Sequence, residues 1–393
     1  MLYALIFILL IYLSFRYDMM DSKVNKDFWY VVMLIIFILV AGLRYRLGED
    51  TPNYIHSFYH LHPTLDKFSF EDYPIGKDPL WALLNSIVKS LGGRFYHVQL
   101  IHATFINILL FKYIKKHSSY IFTCLIFYAF CCYTNYNMQI MRGSLSVVLC
   151  LYANDYILEK KWVKGYLLFL VALLCHAQTI LMFFLPLLFF IRLDLKGLLI
   201  LIVSFFVGII IQEQLGDYLF LLEASEDMAK KAQMYSELEE YGGQAGNFNF
   251  MLVRFIPDIV YTLVALWFVK QKNKISSLLF LEPLVMIGLV FLVLQINLQI
   301  AYRFVDYYRI YFVMFFSELF IAFAKKNIKM PKETAYVVMI AIFLPYFSLM
   351  SYWRAAVFEQ YYPYSSVFDM EKSPKREILY MKDDRWGPRS DEF

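Results

Sequence analysis

The chain has 393 residues, 60% of them hydrophobic and 19% aromatic, with a mean hydropathy of +0.52. That composition excludes a soluble domain of ordinary usage and identifies a polytopic membrane protein, expected to be all-α. The net charge of +4, from 37 basic and 33 acidic side chains, excludes the strongly basic balance of a nucleic-acid binder, so information lies in where the charges fall.

A helix needs roughly 17 to 25 apolar residues to cross a bilayer. The first such run, 2–17, has no basic segment ahead of it and no clear small-residue cleavage site, and is expected to be a retained span. The second, 28–43, is followed at once by Gly42-Leu43-Arg44-Tyr45-Arg46-Leu47-Gly48-Glu49-Asp50-Thr51. Guanidinium groups beside hydrocarbon are costly unless they face protein, water or an anion. Segment 44–96 reads as an outer loop in which Lys77-Asp78-Pro79 opens a short interfacial or re-entrant helix, with proline in the first turn.

Further runs follow at 97–114, 119–137 and 139–158. The stretch Gly165 to Ile191 is too long for one ordinary span and too short for two, and carries Cys175-His176-Ala177-Gln178-Thr179 at its middle. Lys and Arg collect in short cytoplasmic loops. All six basic connectors (Arg16 to Lys26, Lys112 to Lys116, Lys160 to Lys164, Arg192 to Lys196, Lys270 to Lys274, Lys325 to Lys332) share the cytoplasmic side if 165–191 is two short half-spans meeting near His176. Then come 195–211, an outer segment 212–249 with a surface helix that could serve as a lid, and runs at 250–269, 276–296, 299–323 and 335–353. The expectation is about twelve transmembrane helices, both termini outside, forming one membrane domain over 1–353 with a polar tail, 354–393, along the interface. Cys124, Cys131, Cys132, Cys150 and Cys175 lie in apolar runs without a CxxC pair and read as buried free thiols.

On this map Arg44, Arg46, Arg142, Arg254, Arg303 and Arg309 all fall on the outer side. Arg303, Asp306 and Arg309 recur at three-residue spacing, on roughly one helix face, where Asp306 can pair with either arginine. The bland reading is snorkelling or structural ion pairing. The functional reading is a polyanion site, because guanidinium forks suit phosphate oxygens, and the simplest anion here is a lipid-linked phosphate or pyrophosphate.

Gly42-Leu43-Arg44-Tyr45 with Gly48, Asp50 and Asn53-Tyr54, then Met141-Arg142-Gly143, Leu174-Cys175-His176 ahead of Leu185-Pro186, Arg303 to Tyr308, and Tyr361-Tyr362-Pro363-Tyr364 together resemble the EpsG family of Wzy-like polysaccharide polymerases. Gly143 stands where that family usually has Gln, and Ala177-Gln178 follow the His where Lys or Tyr with Ser is more usual. The resemblance implies a metal-independent, GT-C-like glycosyltransferase of the bacterial inner membrane. It would join undecaprenyl-pyrophosphate-linked repeat units, of capsule or O-antigen type, at the outer face, with no cofactor and with a chain-length regulator (a polysaccharide co-polymerase) as a plausible partner.

Such a reaction needs cations for the departing pyrophosphate and a base for the acceptor hydroxyl. Arg44, Arg142 and Arg303 are the expected principal cations, supported by Arg46, Arg254 and Arg309. Asp50 and His176 compete as base; their bland alternatives are a turn cap or salt-bridge partner for Arg46, and a satisfied core histidine. Tyr45, Tyr54 and Tyr302 are candidate sugar-stacking rings, and Asn135, Asn137 and Gln139 candidate readers of glycan hydroxyls. His97 and His102 lack visible partners for a metal, and Glu318 reads as a helix-bundle hydrogen-bonding residue. The alternative from another class is a flippase or other transporter of lipid-linked oligosaccharide, although no inverted copy of the arginine turn is evident. A membrane acyltransferase would place its His nearer the cytoplasm.

Overall fold

The computed structural model describes residues 2–48, 50–221, 276–298, 301–326, 331–338 and 359–381, with a few more helical residues between 259 and 267 and at 340. Among these residues every regular element is helical, and the one extended pairing is an antiparallel bridge between Arg44 and Ser366. The chain divides into two compact units, Met1–Pro186 with Phe316–Phe393, and Leu187–Phe315.

In the first unit α1 (Leu2–Leu13) runs on into a π-helical turn, Ser14–Met19. It is followed by α2 (Lys26–Gly42), α3 (Thr51–His56), α4 (Pro79–Ser90), α5 (Phe95–His117), α6 (Ile121–Cys131), α7 (Met141–Leu158) and α8 (Trp162–Cys175). Leu2–Met19 and Phe95–His117 are long and apolar enough to cross a bilayer, whereas Ile121–Cys131 and Trp162–Cys175 are shorter apolar helices. Apolar residues face outward as well as inward. On α2, Tyr30, Met33, Phe37 and Val40 are buried while Phe28, Val31, Ile35 and Leu39 are exposed. On α8, Val163, Leu167, Leu170 and Val171 are exposed in the same way. Helices apolar all round belong in hydrocarbon.

Small residues bring these helices together. A Cβ on Gly42 would lie 2.9 Å from Leu100 Cα, and one on Gly165 3.1 Å from the Ala153 carbonyl oxygen, so α2 meets α5 and α8 meets α7 nearly backbone to backbone. Inside, Asn107 Nδ2 donates to Asn137 Oδ1 at 2.7 Å, and Asn137 Nδ2 reaches the Tyr128 hydroxyl and the Tyr133 carbonyl, each at 3.0 Å. These bonds fix the approach of α5 to the segment that ends at Gln139. Asn137 is fully buried there, a structural position rather than a reader of glycan. The five cysteines are buried free thiols, as their setting in apolar runs suggests.

The stretch after Gly165 breaks where expected but not into two α-helices. α8 stops at Cys175, His176 is extended (φ −158, ψ 122), and residues Ala177–Phe183 and Leu185–Leu188 are 3-10 turns. A 3-10 segment rises about 2.0 Å per residue against about 1.5 Å for an α-helix, so a short piece reaches further.

In the second unit α9 (Leu195–Leu221) continues well past the expected span end at 211. It packs with α10 (Ser276–Asn297), where Asn297 Nδ2 donates to the Phe205 carbonyl at 3.1 Å. The expected span 299–323 is interrupted. A short α11 (Tyr302–Val305) precedes a turn over 306–308, and α12 (Arg309–Lys326) then begins. Of the outer segment expected at 212–249, residues 212–221 belong to α9 and the rest lie outside the described residues, as do Arg254, most of 250–269 and most of 335–353.

Part of the polar tail is ordered. Residues 359–381 fold within the first unit, ending in α13 (Pro374–Met381).

Candidate functional site

The turn after α2 is held by the chain itself. Gly48 has φ +100, and a Cβ there would collide with the Met138 carbonyl oxygen, so only glycine fits. Thr51 Oγ1 donates to the Leu47 carbonyl at 2.6 Å, and Tyr45 N and Val367 N pair with the carbonyls of Ser365 and Leu43 at 2.8 and 2.9 Å. Gly48 N reaches the Gln360 carbonyl at 3.2 Å, and the Tyr361 hydroxyl donates to Gln139 Oε1 at 2.8 Å.

Two expected pyrophosphate ligands are committed to this scaffold. Arg44 is fully buried, donating to the carbonyls of Ala41 and Leu47 and touching the Met141 sulfur. Arg46, in a left-handed conformation (φ 50), makes a two-pronged pair with Glu377 of α13, at 3.1 and 2.8 Å, with only 5% of its side chain exposed. In this structure both side chains meet protein acceptors. Tyr45 is likewise buried rather than presented as a sugar platform.

Arg142 is placed differently. It is the second residue of α7, its side chain is 44% exposed, and its Nη1 donates to Asp78 Oδ2 at 2.8 Å. Its guanidinium stands 5.7 Å from the centre of the Tyr54 ring. Burial pushes the Tyr54 phenol up to about 12 against the opposing charge of Arg142, so it is a neutral hydroxyl. Asp50, ahead of α3, lies within electrostatic reach of both Arg142 and Tyr54.

His176 joins the same group. Its Nδ1 lies 3.3 Å from Asp78 Oδ1, which also accepts the Ala177 N–H at 3.2 Å. The ring lies against α7, where a Cβ on Gly143 would make ordinary van der Waals contact with His176 Cδ2 at 3.6 Å. The structure thus brings together Arg142, His176, Tyr54 and Asp50 from the sequence-derived set.

Asp78 was not in that set. It sits at the N-cap of α4 in the left-handed region (φ 52), yet makes no capping bond to its own helix. The pair Asp78-Pro79 is a visible signal that suggests only a cap, and the partners that give the carboxylate its setting lie 64 and 98 residues away.

His62 belongs to the same neighbourhood. Burial and the charges of Arg142 and Lys89 push its imidazole down to about 4. Lys89 itself is committed, its ammonium donating to the carbonyls of Phe58, Tyr59 and His62 at 3.1, 3.0 and 2.7 Å.

Other candidates serve structure. His97 Nδ1 accepts the Arg94 N–H at the start of α5, and His102 Nε2 lies 2.9 Å from both the Met141 carbonyl and Ser144 Oγ. Glu318 Oε1 accepts from Ser118 Oγ and Ser119 N at 2.9 and 2.7 Å, the helix-bundle role expected of it. In the second unit Asp306 pairs with Arg309, and Arg303 lies against Tyr302, with Nε 3.3 Å from its hydroxyl.

A helical chain with apolar outer faces reads as a membrane protein, and in it a half-open arginine stands beside a buried carboxylate and an imidazole. The chain belongs to the EpsG family, whose model matches residues 27–366. That family is membrane-associated and linked to glycosyltransferase-like polysaccharide polymerase activity. No curated protein and no solved structure matches the chain.

Proposed function

We propose that this protein is a Wzy-type polymerase: a metal-independent glycosyltransferase of about twelve spans in the bacterial inner membrane. It joins undecaprenyl-pyrophosphate-linked repeat units of a capsule or O-antigen at the extracytoplasmic face. The observation that carries this reading is the meeting of Arg142, His176 and Asp78, with the Arg142 side chain 44% exposed where Arg44 and Arg46 are enclosed by protein acceptors. The acceptor hydroxyl oxygen attacks the anomeric carbon of the donor glycan while the bond from that carbon to the pyrophosphate oxygen breaks. The hydroxyl proton passes to His176, and the pyrophosphate departs with the electron pair toward Arg142. A guanidinium fixed beside a charge that grows in the transition state lowers the barrier without having to reorganise.

In this reading Arg44 and Arg46 shape the turn, while Arg254, Arg303 and Arg309 are proposed as further cations for lipid phosphates. Asp50 supports the charge balance around Arg142, Tyr54 and Tyr302 are proposed sugar contacts, and a chain-length regulator is the implied protein partner. The test is purified protein in lipid with the matching lipid-pyrophosphate repeat unit and a chelator. A ladder of polymer lengths is expected, and a ladder that requires a divalent ion, or none with the matching unit, overturns the reading.

A further inference from the structure

Asp78 is 3% exposed and holds a backbone conformation that residues with a side chain seldom adopt. Its carboxylate makes no capping bond to its own helix and meets two other segments: Oδ2 accepts from Arg142, and Oδ1 accepts the Ala177 N–H and lies 3.3 Å from His176 Nδ1. Exposure rises outward through the group. The side chain of Asp78 is 5% exposed, that of His176 22% and that of Arg142 44%. A buried group that touches two more open ones is placed to orient them rather than to meet substrate.

A carboxylate offers acceptors only. Its contact with His176 Nδ1 is therefore a hydrogen bond only when the imidazole proton is on Nδ1. A neutral imidazole has one such proton, so the lone pair is then on Nε2. We propose, resting on the glycosyl-transfer reading above, that Asp78 is the positioning residue that fixes this tautomer of His176 and makes Nε2 the atom that takes the acceptor's proton. When Nε2 receives that proton the ring becomes an imidazolium, and the Asp78 carboxylate balances its charge. Arg142 stays directed at the leaving pyrophosphate, and Asp78 itself neither gains nor loses a proton.

Two experiments decide it. In protein labelled with 15N-histidine, the His176 resonances are assigned by their loss in His176→Ala. They should show a protonated Nδ1 and a bare Nε2; the opposite tautomer overturns the proposal whatever the protein's activity. The second experiment compares polymerisation rates. The amide of Asp78→Asn can donate to Nδ1 and drive the proton to Nε2, so the rate should fall by about 10²–10⁴-fold. The double variant with His176→Ala should be no slower than the slower single variant, because one residue acts through the other. A double variant slowed by the product of the two single losses, or an Asp78→Asn rate within threefold of the parent, overturns the role of Asp78 and leaves the polymerase reading standing. A parent that elongates no lipid-pyrophosphate unit overturns that reading and the catalytic role with it, while the tautomer measurement still reports on the pair.

Discussion

Replacing Glu377 by alanine should loosen the turn that follows α2. The Arg46 side chain is 5% exposed and that of Glu377 17%, and they meet through two hydrogen bonds of 3.1 and 2.8 Å. Removing one partner of a fully buried pair costs about 3–5 kcal/mol because the other charge is stranded. Water reaches the Glu377 side, so the expected loss is smaller, about 2–3 kcal/mol. Arg46→Ala should cost a similar amount, and the double variant less than the two losses added, since the stranded charge disappears. Exchanging the residues, Arg46→Glu with Glu377→Arg, should recover part of the loss. The assay is thermal or SDS unfolding of protein in one fixed detergent. Equal unfolding midpoints for Glu377→Ala and the parent, or strict additivity in the double variant, would refute the buried-pair reasoning.

Arg142→Lys should abolish the polymer ladder while unfolding behaviour stays near the parent's, because an ammonium keeps the charge but not the fork; an undiminished ladder would remove Arg142 from the proposed site. Gly48→Ala should destabilise by about 2–4 kcal/mol, from a left-handed backbone and a collision with the Met138 carbonyl oxygen, measured by the same unfolding assay. His62 is held at about 4, below its ordinary 6.5, by burial and by the charges of Arg142 and Lys89. The unfolded chain therefore binds this proton first, so stability is complete above pH 6.5 and is lost as the pH falls through 4. The unfolding midpoint should drop between pH 7 and pH 4.5, and His62→Gln should shrink that drop; an unchanged drop would assign the pH dependence elsewhere.

The all-helical class was legible because hydropathy and length are local properties. The break at His176 followed from a polar group in the middle of an awkwardly long apolar stretch, whereas the need for glycine at position 48 shows only in its positive φ and the approach of the Met138 carbonyl. The fates of the arginines were not legible. Arg44 and Arg142 are both arginines beside an apolar run, yet backbone carbonyls enclose one and the other keeps an open face. The acceptor that occupies Arg46 lies 331 residues downstream, on a segment whose polarity suggested only a surface tail. Asp78 was hidden for a related reason. Asp before Pro is an ordinary helix start, and only tertiary structure shows that the carboxylate points elsewhere.

The late arrival of Glu377 has a consequence for biosynthesis. Ribosomes add about 5–20 residues per second, so the 331 residues between Arg46 and its partner take roughly 15–65 s to make. During that interval the guanidinium of Arg46 lacks its Glu377 partner. A message truncated shortly before codon 359 would yield a product that inserts its helices but cannot complete this region, and cellular quality control would have a ready means of telling it from the finished protein.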